Sequence, residues 1–223
     1  MEKIKRSLHN RTAAGQQLAT QLPAYVNQDD VLVLGLPRGG VPVAYEVAKA
    51  LQVPFDICLV RKLGLPGNKE FAMGAIAADG VRVLNNQLLA QISLPNWLIE
   101  QVSDKESQEL QRRNLAYRGN RPLPNISNQT IILVDDGIAT GATMRAAILW
   151  LKAHQAKKIV VAVPVAPAPV CKAIAATVYS CVCLMTPSPF YSVGYWYDHF
   201  TQVSDDEVIK TMMSVDTQTV TET

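Results

Sequence analysis

Five hydrophobic runs alternate with helical patterns along the chain, and this alternation is the main guide to its fold. The runs are Val31–Gly35, Phe55–Val60, Ile131–Val134, Lys158–Val165 and Val178–Leu184. Continuous β-branched and aliphatic runs of this length are typical of strands buried on both faces of a parallel sheet. Repeated strand and helix alternation predicts an α/β fold with a doubly wound, mostly parallel sheet and right-handed crossovers.

The segments between these runs predict helices and one antiparallel hairpin. The predicted helices are Lys3–Leu22, Val41–Leu51, Leu94–Gly119, Ala142–His154 and Ala166–Ala176. Phe71–Ala78 and Val81–Leu84, joined at Asp79-Gly80, predict two short antiparallel strands. Turn-forming residues predict a loop from Gly64 to Glu70. The polar tail from Ser214 to Thr223 is predicted to be disordered.

Candidate chemistry is concentrated at the end of the third run, within Thr130 to Ala147. Asp135 and Asp136 follow the strand, and a small loop from Gly137 to Thr143 leads into a helix. Backbone N–H groups and the positive end of a helix dipole meet at such a point, which suits a phosphate. Adjacent carboxylates can accept hydrogen bonds from vicinal hydroxyls. The implied ligand is a ribose 5-phosphate group, whereas either piece alone is also compatible with a turn and a capped helix.

The whole run closely resembles the ribose-phosphate motif of type I phosphoribosyltransferases, which ends in Thr-Gly-x-Thr. The resemblance implies the type I phosphoribosyltransferase fold with a small hood. It also implies magnesium-dependent transfer of a phosphoribosyl group from phosphoribosyl pyrophosphate to a small nitrogenous base. Asp135 and Asp136 would hold the ribose diol and, directly or through water, magnesium. The 5'-phosphate would be bound by Gly137, Ile138, Ala139, Thr140, Gly141, Ala142 and Thr143.

A second glycine loop follows the first hydrophobic run. Backbone donors and a guanidinium group can hold another anion there, and the resemblance assigns it to the pyrophosphate group. Its residues are Pro37, Arg38, Gly39 and Gly40. Arg61 and Lys62 follow the second run, at the edge where open parallel sheets bind ligands, although a solvated basic pair is the alternative. Arg38, Lys62 and the two aspartates are therefore the predicted catalytic residues.

An aromatic loop from Met185 to Phe200 is the candidate for base recognition. Aromatic faces and a carboxylate suit a planar heterocycle, but a surface cover packed on the core is an equal alternative. The candidate residues are Phe190, Trp196, Tyr197 and Asp198. Ala139 occupies the position at which enzymes for 6-oxopurines have an aspartate, which disfavours hypoxanthine and guanine. The RKLGLPG run resembles adenine-using enzymes over a short stretch, and Lys69 and Glu70 are candidates for a closed loop.

Composition narrows the partners and the compartment. The 223 residues have a net charge of +2, which gives no reason to expect nucleic acid or a membrane as the main partner. No segment has the length of a membrane span or the apolar centre of a signal peptide, so the expectation is cytoplasmic. The four cysteines lack zinc spacing. We expect a single domain over 1–223, with a core of about 24–184 and hood elements from 62–121 and 185–210; a homodimer is expected from the resemblance alone.

Two other functions are also compatible with these residues. A regulatory protein on the same fold could sense phosphoribosyl pyrophosphate or a nucleotide without turnover. The residues before Val31 are too few for a separate DNA-reading module, and no clear basic face indicates an RNA-binding regulator. The third hypothesis is a phosphohydrolase or another nucleotide-binding α/β protein. The paired aspartates and the lack of a P-loop lysine count against nucleoside triphosphates.

Overall fold

A five-stranded parallel sheet forms the centre of the protein. The computed structural model describes residues 7–65, 68–85, 89, 94–119 and 121–219, with the backbone alone at 68–72 and 215–219. Its strands are β1 (Val31–Gly35), β2 (Phe55–Ile57), β6 (Thr130–Val134), β7 (Lys158–Val165) and β8 (Ser180–Met185). The strand order is β2-β1-β6-β7-β8, and every neighbouring pair is parallel. This architecture confirms the predicted doubly wound α/β fold.

Helices cover both faces of this sheet, which explains why its strands are apolar throughout. Alternate residues of β6 enter different cores: Ile132 and Val134 one, Ile131 and Leu133 the other. The helices are α1 (Arg11–Ala19), α2 (Gly40–Leu51), α3 (Asn96–Arg118), α4 (Ala142–Ala153), α5 (Ala168–Ala175) and α6 (Asp205–Thr219). The first core includes residues of α1, α2, α3 and α6, and the second those of α4 and α5.

A three-stranded antiparallel sheet forms a hood beside the central sheet. Its strands are β3 (Val60–Leu65), β4 (Asn68–Ala77) and β5 (Arg82–Leu84), which confirms the predicted hairpin around Asp79-Gly80. The hairpin turn is fastened to α4, because Asp79 Oδ2 accepts a hydrogen bond from Trp150 Nε1 at 3.0 Å and lies 2.8 Å from His154 Nε2. The hood therefore packs on the core rather than standing apart from it.

Two predictions around the hood are wrong. The run Phe55–Val60 is not one strand, because the chain leaves the parallel sheet after Ile57 and enters the hood at Val60. Arg61 and Lys62 consequently lie within β3, opposite Ile76 and Ala75, and not after a strand end. The predicted loop at Gly64–Glu70 is also largely strand: pairing with β4 overrides the turn-forming residues, and register shifts at Gly64 absorb the irregularity. Residues 66–67 lie outside the described part.

The two ends of the chain also differ from the predictions. The first helix begins only at Arg11, where Asn10 Oδ1 caps it by accepting a hydrogen bond from Ala13 N at 2.8 Å. The tail is helical and not disordered as far as Thr219, because α6 buries Val208 and Met212 against the core. Residues 1–6 and 220–223, which the first helix and the tail predictions also covered, lie outside the described residues.

None of the described helices is both long and apolar enough to span a membrane.

Candidate functional site

The two predicted phosphate loops meet where β1 and β6 end. These strands are paired in register, with Gly35 opposite Val134, so the loops that follow them leave the sheet side by side. Gly39 and Gly40 allow the contact: a Cβ on Gly39 would overlap the carboxylate of Asp136, and one on Gly40 would lie 2.8 Å from the Cα of Asp135. The structure thus brings the residues from Pro37 to Gly40 against the acidic pair.

The two aspartates have different partners. Asp135 Oδ1 accepts a hydrogen bond from the backbone N–H of Asp136 at 2.9 Å. Asp136 Oδ2 accepts one from Arg11 Nε at 2.8 Å and lies 2.8 Å from Arg11 Nη2. Burial raises the pKa of both carboxyl groups, that of Asp135 well above its usual range; the charge of Asp136 adds to the rise at Asp135, and Arg11 opposes the rise at Asp136. Asp136 is therefore held by an internal cation, whereas Asp135 is not.

The loop after the aspartates prepares the start of α4 for an anion. Gly141 has a φ of 77°, in the left-handed region that favours glycine, and as the N-cap of α4 it makes no side-chain hydrogen bond; the N–H of Ala142 makes one long contact, 3.5 Å to Thr140 Oγ1. Thr140 is fixed from outside the loop, because its carbonyl oxygen accepts a hydrogen bond from Arg145 Nη2 at 2.5 Å. Uncapped N–H groups at a helix start suit a phosphate, so the geometry is compatible with the predicted role of this loop.

The predicted pyrophosphate arginine, Arg38, is tied to the C-terminal helix. Its Nη1 atom lies 3.4 Å from Asp205 Oδ1, at the first residue of α6. The hydroxyl of Tyr117 donates to the same oxygen at 2.6 Å, and Arg112 Nη1 lies 3.5 Å from the other. The hydrogen bond from Tyr117 and the neighbouring arginines lower the pKa of Asp205, while burial and Asp205 raise the pKa of Tyr117 to about 12. Asp205 thus joins the first loop to α3 and α6.

A cavity of about 860 Å³ opens beside the two loops, between α3 and the hood. It touches the first loop at Pro37 and the second at Thr143. Its apolar lining comes from Val60, Leu65, Leu98 and Val102, and its charged lining from Arg61, Lys62, Lys105, Glu106 and Arg113. Two of the predicted residues, Arg61 and Lys62, therefore face this space although the predicted strand boundary was wrong.

Helix α3 forms one wall of the cavity and is anchored at several points. Its last residue, Arg118, is buried, pairs with Asp56 and donates a hydrogen bond to the carbonyl oxygen of Pro122. Nearer its start, Arg82 of the hood donates a hydrogen bond to Glu100 at 2.9 Å. Fixing both parts of the helix holds the cavity wall in place, which gives this segment a structural role.

The aromatic loop lies on the other side of the acidic pair, away from the cavity. Tyr197 is buried, and its hydroxyl donates to the carbonyl oxygen of Asp136 at 2.6 Å. Trp196 and Asp198 make backbone hydrogen bonds with Leu8, and Phe190 packs in the same small cluster. None of these four predicted base contacts lines the cavity. Their placement corresponds to the alternative of a packed cover, and contact with a base stays an untested prediction.

The site residues offer limited ligands for a metal ion. Within the described part of the chain, no three histidine, cysteine, aspartate or glutamate side chains are grouped to hold one. Magnesium commonly binds through one or two carboxylates together with substrate phosphates. The acidic pair fits that arrangement through Asp135 or through water, but Asp136 is already paired with Arg11. A magnesium ion that arrives with a diphosphate suits these donors better than a closed protein cage.

Sequence reasoning missed Arg11, Tyr117 and Asp205. Each reaches the site from a distant part of the chain, and no local motif marks it.

The fold and the paired loops define a class of proteins, and comparison with known proteins agrees with it. Residues 6–198 match the phosphoribosyl transferase domain family, and the chain belongs to that family. The resemblance found in the sequence is thereby confirmed. The crystal structure of TT1426 from Thermus thermophilus is similar, with a TM-score of 0.87 and 37% identity, over 93% of this chain and 98% of that one.

Two curated relatives are longer than this chain. They are proteins of Mycobacterium tuberculosis, from strains CDC 1551 / Oshkosh and H37Rv, which are provisionally named phosphoribosyl transferases. Each is 48% identical over 200 residues, which is 90% of this chain and 45% of the relative. The chain thus spans less than half the length of these two proteins.

Proposed function

We propose that the protein binds phosphoribosyl pyrophosphate and transfers its phosphoribosyl group to a nitrogen of a small acceptor, with release of pyrophosphate. The observation that carries this proposal is the contact between the loop from Pro37 to Gly40 and the acidic pair at the ends of β1 and β6. A ligand with two anionic groups separated by a diol matches two anion loops separated by carboxylates. Magnesium and a homodimeric assembly are further parts of the proposal.

The residues have distinct roles in the proposed reaction. The 5'-phosphate lies at the start of α4, the ribose hydroxyls donate to Asp135, and the pyrophosphate lies over Gly39 and Gly40 near Arg38. The acceptor nitrogen forms a bond to C1 of the ribose while the bond from C1 to the pyrophosphate oxygen breaks. The electron pair leaves with pyrophosphate. An acceptor nitrogen that carries a hydrogen then loses it as a proton to solvent, whereas a pyridine nitrogen carries none and becomes a cationic pyridinium nitrogen. Backbone amides and Arg38 stabilise the charge that develops on the leaving group; magnesium on the diphosphate would add Lewis-acid stabilisation.

Arg38 needs only a small rearrangement for this role. Its side chain is 32% exposed and its contact with Asp205 is 3.4 Å long, so the pair contributes little to stability. A diphosphate offers more negative charge and better hydrogen-bond geometry than one carboxylate. Arg38 can therefore exchange Asp205 for the ligand.

Calorimetric titration of magnesium phosphoribosyl pyrophosphate tests the proposal. Asp135→Asn is the sharper variant, because replacing Asp136 would also leave Arg11 without its carboxylate partner. We expect wild-type protein to bind, and Asp135→Asn to bind on the order of 10 to 100 times more weakly, as loss of charge-assisted hydrogen bonds predicts. Asp206→Asn, an exposed aspartate of α6, is the matched control. Folded wild-type protein that does not bind would refute the proposal.

A sensor of phosphoribosyl pyrophosphate is the second candidate. The observation that favours it is the internal pairing of Arg38 with Asp205 and of Asp136 with Arg11, which ligand binding could release. Pyrophosphate release separates the two functions. Tight binding without release from any acceptor in a broad panel supports the sensor, and release with one acceptor supports the transferase.

A further inference from the structure

We infer that the cavity between α3 and the hood holds the acceptor, and that the acceptor is an aromatic or heterocyclic nitrogen compound with an acidic substituent. This inference rests on the proposed function and adds the substrate class. The lining of the cavity is apolar in one region and cationic in another.

The cavity lies beside both phosphate loops. It touches Pro37 of one loop and Thr143 of the other, so its occupant lies next to both parts of a bound phosphoribosyl pyrophosphate. The opposite side of the acidic pair is filled by Arg11 and Tyr197. An acceptor that reaches C1 of the ribose therefore approaches from the cavity. Its volume of about 860 Å³ is within the range of ligand pockets in proteins.

One face of α3 supplies both apolar and cationic residues to the cavity. Leu98, Val102 and Lys105 are spaced by four and three residues, so they lie on one face of the helix. All three line the cavity, together with Val60 and Leu65 of the hood. The lining thus changes along the helix from apolar to cationic. A pyrophosphate group needs no apolar wall, whereas a flat ring with an acidic substituent needs both parts.

The lining of the cavity carries more positive than negative charge. Four cationic side chains line the cavity, and Glu106 is the one acidic residue among the described lining residues. Glu106 accepts a hydrogen bond from Arg61 Nε, and Arg113 is paired with Glu109 at 2.6 Å. Within the part of the chain that the structure describes, Lys105 has no carboxylate partner. A neutral base would leave this charge uncompensated, and an anionic substituent at Lys105 would compensate it.

The test compares matched acceptors that differ in one acidic group. The pairs are uracil-6-carboxylate and uracil, pyridine-3-carboxylate and its carboxamide, and 2-aminobenzoate and aniline. Pyrophosphate release is measured for each with wild type, Lys105→Met, Lys105→Arg and the control Lys49→Met, an exposed lysine of α2. Because Lys105 is exposed, its replacement leaves the core intact. Calorimetry with magnesium phosphoribosyl pyrophosphate runs in parallel.

We expect an acidic member to be preferred over its neutral partner, and Lys105→Met to lower kcat/KM for the acid by roughly 10- to 100-fold while binding of phosphoribosyl pyrophosphate is unchanged. Lys105→Arg should retain most of the preference. Equal use of neutral and acidic acceptors would overturn the inference, and so would weaker phosphoribosyl pyrophosphate binding in Lys105→Met, which would assign the cation to pyrophosphate.

If no acceptor gives turnover, a binding experiment tests the inference. Titration of the three acids into the complex with phosphoribosyl pyrophosphate then decides the matter: binding that needs Lys105 supports the inference, and no binding refutes it. In both cases the proposed function is judged separately by the binding of phosphoribosyl pyrophosphate to wild-type protein.

Discussion

The two sides of the loop junction differ in how their charges are balanced. On the side of the acidic pair, Arg11 pairs with Asp136, Tyr197 covers the backbone, and Phe200 lies 3.9 Å from the Arg11 guanidinium carbon. On the cavity side, cations outnumber carboxylates, and Lys105 faces a space of about 860 Å³. On the first side, Arg11 balances the charge of Asp136 within the protein, whereas the second side leaves positive charge for a ligand. Replacing Arg11 should therefore affect folding, and replacing Lys105 should affect substrate use.

Arg11→Met should have the largest effect on stability. It leaves the Asp136 carboxylate buried without its cation, and breaking a buried pair in this way costs about 3–5 kcal/mol. Chemical denaturation measures the free energy of unfolding. The matched control is Arg82→Met, which breaks a more exposed pair with Glu100 and should cost much less, because solvent screens that pair. Equal losses in both variants would mean that the acidic side does not depend on internal balance.

Gly39→Ala should affect both the junction and ligand binding. The added methyl group overlaps the Asp136 carboxylate, so that side chain must move away from Arg11 or the loops must separate, at a cost of about 1–3 kcal/mol for overpacking. We also expect calorimetry to show a loss of phosphoribosyl pyrophosphate binding. Gly80→Ala in the hood turn is the control for ligand binding: it has open space around it, so its cost comes from its φ of 78° and not from overlap with a carboxylate. Normal binding by Gly39→Ala would show that the close contact is unnecessary.

The buried pair should make stability depend on pH. Because the pKa of Asp135 is raised in the folded protein, the folded state retains a proton that the unfolded state has lost. The contribution of this group to the free energy of unfolding therefore falls as pH rises from the ordinary aspartate pKa to the raised one, by up to about 1.4 kcal/mol per pH unit. Asp135→Asn should flatten this slope and Asp206→Asn should not, as urea denaturation across that pH range can show. An unchanged slope in Asp135→Asn would contradict the expected burial of charge.

Asp205→Asn should have the smallest effect and the opposite sign. It removes the negative charge that holds Arg38, so the arginine can turn to a diphosphate at lower cost. We expect the affinity for phosphoribosyl pyrophosphate to rise by roughly 2- to 5-fold, with a stability change of less than about 1 kcal/mol. Weaker binding would instead mean that Asp205 orients Arg38 for the ligand.

The sequence predicted the parallel core and the two loops well, because both depend on local patterns. Ile131–Val134 is apolar at every position, and only burial on both faces explains that. The split at Cys58 and Leu59 was not visible, because a continuous apolar run does not show where the chain changes sheets. Arg11 pairs with Asp136, and Asp205 with Arg38, across more than a hundred positions, and neither Arg11 nor Asp205 has a neighbouring motif. Pairing across such distances depends on the finished fold.

The pairing of β1 with β6 also has a consequence for folding kinetics. Val31 pairs with Thr130, so the strands that form the junction are about a hundred positions apart and the whole hood lies between them. Closing such a long segment costs chain entropy before any contact is gained, whereas the β3–β4 hairpin closes locally. The hood hairpin should therefore form early during refolding, and the junction should acquire hydrogen-exchange protection late. During synthesis on the ribosome, the first loop could bind a ligand only after β6 had been made and had paired with β1.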